Sequence, residues 1–238
     1  MKLFLTSNGF YGNSIEKDFW ELVGDRKNLK VAIIPNASDP IEWVPEKEGD
    51  LPPFYVAKLT HPNDANYGKG KDYHYFKDKG HDVVIVDLKE DPVEIKKKLE
   101  SVDIIDVVGG DANWLLDWAK KSQLGTYLKG LLDKGVVYVG TSAGCGLPMH
   151  DIGLTWWNRE QWADTDHIGF GIVDFVVIVH QKESDTLKST ESLIERKKYF
   201  QSIGIDFPWK LYLVQDGQAV KVDGYKIEHI GPGIKKSI

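Results

Sequence analysis

The run Val136-Val137-Tyr138-Val139-Gly140-Thr141-Ser142-Ala143-Gly144-Cys145 decides how the rest of the chain is read. Its β-branched and aromatic residues read as a strand buried on both faces. The strand runs into Gly140-Thr141-Ser142-Ala143-Gly144, a G-x-S-x-G pattern. That pattern fits a sharp strand-to-helix turn that lifts a serine Oγ out of a sheet. The glycines fit because a strained turn leaves little room for a Cβ. A helix is expected to follow, with backbone N–H groups aimed at the serine, where they suit a developing negative charge.

Working back from this strand, the first half alternates strand and helix. Residues 3–7, 31–34, 83–86 and 104–108 read as strands, each with an apolar run. Ser14 is a candidate cap for a helix carrying Phe19, Trp20, Leu22 and Val23. A further helix ends at Gly80. Asp91-Pro92-Val93-Glu94 places a cap, a proline and an acid at the start of the next, with Ile95 and Leu99 on one face. Gly109-Gly110-Asp111-Ala112-Asn113 opens another, and residues 124–134 read as one helix closed by Gly135. Such alternation with short links makes a doubly wound, mostly parallel α/β sheet. Residues 39–70 interrupt it. Pro40, Pro45, Pro52, Pro53 and Pro62, among Trp43, Phe54 and Tyr55, forbid a long helix or central strand and read as a packed lid or subunit contact, with a merely mobile insert as the alternative.

Beyond the serine the pattern changes. Trp156, Trp157 and Trp162 crowd a polar stretch. Residues 169–180 read as a turn and a long apolar strand ending in His180. A helix is expected over 190–202, and short strands over 210–230. Asp216-Gly217 and Asp223-Gly224 are Asp-Gly pairs of the kind that turns hairpins.

The whole, 238 residues with 28% charged and 42% hydrophobic, reads as one α/β domain, 1–238, with a Pro-rich insert at about 39–70. A formal net charge of −6 without a basic stripe argues against nucleic acid. No run approaches a membrane span, and Met1-Lys2-Leu3-Phe4-Leu5, with one cation and a three-residue apolar run, does not read as a targeting signal. The single cysteine, Cys145, forms no intramolecular disulfide, and together these features fit the cytoplasm. Cys145 itself reads as a small packing residue.

A nucleophilic serine needs a base and an orienting carboxylate. Among seven histidines His180 stands out, because it ends an apolar strand at the same kind of sheet edge as Ser142. The others sit in polar stretches and read as surface residues. Asp216 closes the apolar run 211–214; Asp164 and Asp166 are its rivals, nearer the serine in sequence. Gly110 and Ala143 are the candidate oxyanion donors. No metal-ligand spacing is present, since Asp164-Thr165-Asp166-His167 is a poor match, and no cofactor motif is found.

These residues reach a resemblance. The Gly109-Gly110-Asp111-Ala112-Asn113 turn, the G-T-S-A-G turn and the Gly-rich apolar run into His180 are similar, in order and spacing, to the peptidase E family. This is the aspartyl dipeptidase and cyanophycinase group of serine peptidases. The resemblance implies Ser142 as nucleophile, His180 as base, Asp216 as acid with Glu160 and Asp164 behind it, and Gly110 and Ala143 as oxyanion donors. It implies a three-layer α/β/α sandwich like class I glutamine amidotransferase domains, and a serine-type peptidase of small peptides favouring an N-terminal Asp. Basic residues Arg159, Lys182 and Arg196 are then candidates to hold the acidic side chain. Val179 and Gln181 depart from the family, which usually has Pro before the histidine and an aromatic after it. The alternatives are a non-catalytic binding member of the fold, and an acyl or amido hydrolase on a non-peptide substrate. The expected partner is a small peptide substrate, with no nucleic acid and no membrane; a homodimer is compatible with the sequence.

Overall fold

A computed structural model describes residues 1–40, 65–153, 167–181, 190–202, 204, 206 and 208–238, the side chains of Thr190, Arg196 and Phe200 apart. Strands β1 (Lys2–Thr6), β2 (Lys30–Ile34), β3 (Asp82–Ile85), β4 (Ile104–Val107) and β5 (Val137–Thr141) lie parallel in the order β3-β2-β4-β5-β1. Strands β8 (Ala219–Asp223) and β9 (Lys226–Ile230) extend this sheet antiparallel beyond β1. Its helices are α1 (Glu16–Val23), α2 (Lys71–Asp78), α3 (Pro92–Leu99), α4 (Ala112–Lys121) and α5 (Leu128–Asp133).

The parallel strands are apolar on both faces because helices cover both faces. Successive side chains of a strand point to opposite sides. Phe4, Val31, Ile33, Ile104, Val137 and Val139 therefore pack with Phe19 and Leu22 of α1 and Phe76 of α2. Leu3, Leu5, Ala32, Ile34, Ile105, Val107 and Tyr138 pack the other way. There they meet Ile95 and Leu99 of α3, Leu115 and Leu116 of α4, and Leu128 and Leu132 of α5. The result is a three-layer α/β/α sandwich, as expected.

A second sheet joins the latter core. Strands β6 (Phe175–Ile178) and β7 (Lys210–Leu213) are parallel, and β10 (Lys236–Ser237) runs antiparallel to β7. Helix α6 (Thr190–Ser202) covers the residues expected.

Several local expectations are corrected. Ser14 does not cap α1; the Asn13 Oδ1 accepts from the Ile15 N–H at 3.1 Å instead. Asp91 caps α3 as expected, accepting from the Val93 and Glu94 N–H groups. The helix expected over 124–134 is broken into a 3-10 turn, Leu124–Thr126, and α5, with Tyr127 at φ −132° between them. The apolar strand expected to run into His180 shrinks to the four residues of β6. The Asp223-Gly224 pair does turn a hairpin, β8 to β9. Asp216-Gly217 does not: β7 before it and β8 after it belong to different sheets. Most of the 39–70 insert lies outside the described residues. Among the described residues no helix is long and apolar enough to cross a membrane.

Candidate active site

Ser142 stands where β5 ends, at φ +52°, opening a 3-10 turn, Ser142–Cys145, rather than the α-helix expected. Both glycines of the pattern are required by close approach. A Cβ on Gly140 would lie 2.5 Å from the Gly144 oxygen, and one on Gly144 would lie 2.2 Å from the Val107 oxygen. The fully buried Tyr138 hydroxyl donates to the Gly144 oxygen at 2.6 Å, tying the turn back to its own strand. Burial, and then the neighbouring Cys145 and Asp106, push that phenol well above its ordinary value.

His180 lies two residues past β6, and Asp216 three past β7. Since β6 and β7 are parallel, both side chains leave the same end of the small sheet. Ser142 and His180 thus follow strands of different sheets. They nevertheless meet. Ser142 Oγ is 2.8 Å from His180 Nε2, and His180 Nδ1 is 2.9 Å from Asp216 Oδ1. An ionised carboxylate only accepts, so the Nδ1 carries the proton and Nε2 is left to accept from the serine hydroxyl. His180 is itself left-handed, at φ +55°. A left-handed non-glycine residue costs about 1 kcal/mol or more, and such strain gathers at functional positions.

The Asp216 turn is pinned from below. The Gly217 N–H donates to Asn8 Oδ1 at 3.0 Å, and the buried Gln218 side chain accepts from the Gln215 N–H at 3.0 Å. Sequence reasoning missed Ser7, one residue past β1, which is fully buried against both partners. Its Oγ accepts from the His180 N–H at 2.8 Å and donates to Asp216 Oδ1 at 2.6 Å. The available signal was its place at the end of the strand read over residues 3–7, since ligands gather at strand ends in open α/β sheets.

The glycine turn after β4 lies beside the serine. A Cβ on Gly109 would sit 3.0 Å from the Ser142 Cβ. Gly110 has φ +145°, and a Cβ there would lie 2.1 Å from the Ala37 oxygen. Ala143 is the second residue of its 3-10 turn, where an N–H has no partner within the turn. Among the described residues no backbone acceptor meets the Gly110 or Ala143 N–H.

Cys145 is buried, and burial pushes its thiol up, out of the range of a nucleophile. Of the histidines expected on the surface, His74, His81, His150, His167 and His229 are partly buried. His167 faces Asp151 at 3.0 Å, His229 meets Gln218 Oε1 at 3.0 Å, and His81 stacks near Trp20. Desolvation lowers the pKa of His81 and His229, with nearby lysines adding to it. None of His81, His167 and His229 joins the Ser142 site. Arg159, Lys182, Glu160, Asp164 and Asp166 lie outside the described residues, as does the Arg196 side chain.

Known proteins fit this picture. The chain matches a candidate peptidase E protein from Listeria monocytogenes EGD-e with a TM-score of 0.67 at 20% identity, over 98% of both chains. It matches a peptidase from an acI-B1 Actinobacterium with a TM-score of 0.62 at 16% identity, over 100% of this chain and 93% of the other. These likenesses are of fold. No curated protein matches the sequence. The model of peptidase family S51 matches residues 57–230, a span that holds Ser142, His180 and Asp216 together. That span is well over half of the chain, and on it this protein belongs to peptidase family S51, the serine-type peptidases.

Proposed function

We propose that Ser142, His180 and Asp216 are the catalytic triad of a peptidase acting on small peptides, with Gly110 and Ala143 N–H groups as its oxyanion hole. The observation that carries the reading is the unbroken chain from Ser142 Oγ through the His180 ring to Asp216, at 2.8 and 2.9 Å. Such a chain counts against a non-catalytic member of the fold. On this reading Ser142 and its turn are a nucleophile elbow.

In the first step Ser142 Oγ bonds to the scissile carbonyl carbon, and its proton passes to His180 Nε2. Asp216 stabilises the imidazolium that results. The oxyanion lies against the two backbone N–H groups. His180 returns the proton to the leaving amine as the C–N bond breaks, leaving an acyl group on Ser142. Water then attacks, its proton going to His180 Nε2, and collapse frees the acid and restores the serine hydroxyl. A preference for an N-terminal aspartyl residue rests on the family resemblance alone.

A fluorophosphonate probe is expected to label the protein at Ser142, and a panel of aspartyl and neutral dipeptides and simple esters to reveal the substrate. Ser142→Ala is expected to abolish labelling and cut hydrolysis by at least about 1,000-fold. A folded Ser142→Ala protein that cleaves the same peptides at the parent rate removes the proposal.

A further inference from the structure

We infer that Ser7 is a positioning residue for this site, the group that sets both the base and the acid; the inference rests on the triad reading above. Its hydroxyl is used in both directions. The one proton goes to Asp216 Oδ1 at 2.6 Å, and a lone pair receives the His180 backbone N–H at 2.8 Å. The same oxygen lies 3.3 Å from His180 Nδ1. Ser7 is fully buried, so this geometry is not shared with solvent.

Each contact answers a weakness of the site. His180 holds a left-handed backbone, which needs an outside tether, and its own N–H is the tethered group. Asp216 stands on an exposed turn with its side chain 46% accessible, so its aim at the ring has to be held by neighbours. Ser7 holds its carboxylate on one side, while the next residue, Asn8, holds the turn through the Gly217 N–H. The end of β1 thereby ties the small sheet's two strand ends to the large sheet, beside β5 and Ser142.

The arrangement also has an electrostatic consequence. Ser7 and the His180 ring share one carboxylate oxygen, Oδ1. The hydroxyl therefore draws off part of the charge that would otherwise stabilise the protonated ring. Removing it should loosen the imidazole and, separately, favour its protonated form. Loose packing alone would produce the first effect without the second.

The test is the rate of fluorophosphonate labelling, mapped to Ser142, across pH 5–9, with thermal melting as the fold check. Ser7→Ala is expected to label about 10- to 100-fold more slowly. Its acid limb should move to higher pH by about half a unit. Asp216→Asn, which removes the shared acceptor, sets the scale for the larger loss. If Ser7→Ala melts too early to measure, Ser7→Cys supports the same comparison, since a thiol keeps the position with a weaker donor and acceptor. Labelling at the parent rate over the whole range, or a slower rate with an unmoved acid limb, overturns the inference while leaving the triad intact. A parent protein that does not label at Ser142 overturns both.

Discussion

Asp106 is an ionisable group at odds with its surroundings. It sits on β4 between Ile33 and Val139, fully buried on the α1 and α2 face, and neither carboxylate oxygen has a hydrogen-bond partner among the described residues. Asp72 of α2, also buried, is its electrostatic neighbour. Burial pushes the Asp72 carboxyl from 3.8 up to about 7; burial and then Asp72 push Asp106 well up too. Both raise the nearby Tyr11 phenol, whose own burial is the larger cause.

A raised carboxyl favours the folded state only while it keeps its proton. The unfolded chain releases the Asp72 proton near pH 3.8, and the folded chain holds it to about 7. The stability this supplies is complete below 3.8 and is lost as pH climbs to about 7. At about 1.4 kcal/mol per unit the full loss is about 4 kcal/mol, of which about 3 kcal/mol falls between pH 5 and 8. Glu16 and Glu228 are shifted down, so their stability is present above 4.5 and lost in acid. They act oppositely, but identically in parent and variant, and cancel.

The perturbation is Asp72→Asn, with Asp106→Asn as its companion. Urea unfolding at pH 5 and pH 8, at one ionic strength, gives four stabilities per pair. The parent should lose about 3 kcal/mol more than Asp72→Asn between the two pH values, and Asp106→Asn should shift the balance in the same direction. Parent and variants changing in parallel, to within about 0.5 kcal/mol, would refute the reasoning.

Two further expectations concern the turn at Ser142. Gly144→Ala puts a Cβ 2.2 Å from the Val107 oxygen, backbone against backbone, so the serine must move; fluorophosphonate labelling should vanish, and retained labelling would mean that β4 yields. Tyr138→Phe leaves the Gly144 oxygen buried without its 2.6 Å donor, which should cost about 1–3 kcal/mol in urea unfolding and slow labelling. An unchanged midpoint would show that another group takes over that oxygen.

The parallel strands were legible because a strand covered by helices on both sides must be apolar throughout, and helix starts such as Asp91-Pro92 announce themselves. The 3-10 turn after Ser142 was not, since a G-x-S-x-G pattern fixes the close approaches but not the hydrogen-bond register that follows. The break at Tyr127 was equally hidden, as the apolar spacing of 124–134 is helical throughout. Asp216-Gly217 shows the limit of local reasoning. The same dipeptide turns a hairpin at 223–224 and joins two sheets at 216–217, because partners and not turn residues decide the pairing.

The order of residues alone determined the layered α/β plan and singled out the serine, histidine and carboxylate that meet in the structure. It did so because strand ends are marked locally, by glycine and by the last apolar residue. The second sheet, the left-handed backbone of His180 and the buried hydroxyl of Ser7 belong to the tertiary structure alone. Each depends on contacts between segments some 35 to 210 positions apart, such as Ser142 with His180 and Ser7 with Asp216. No window of sequence carries that information, since what aligns those groups is the packing of one sheet's strand ends against another's.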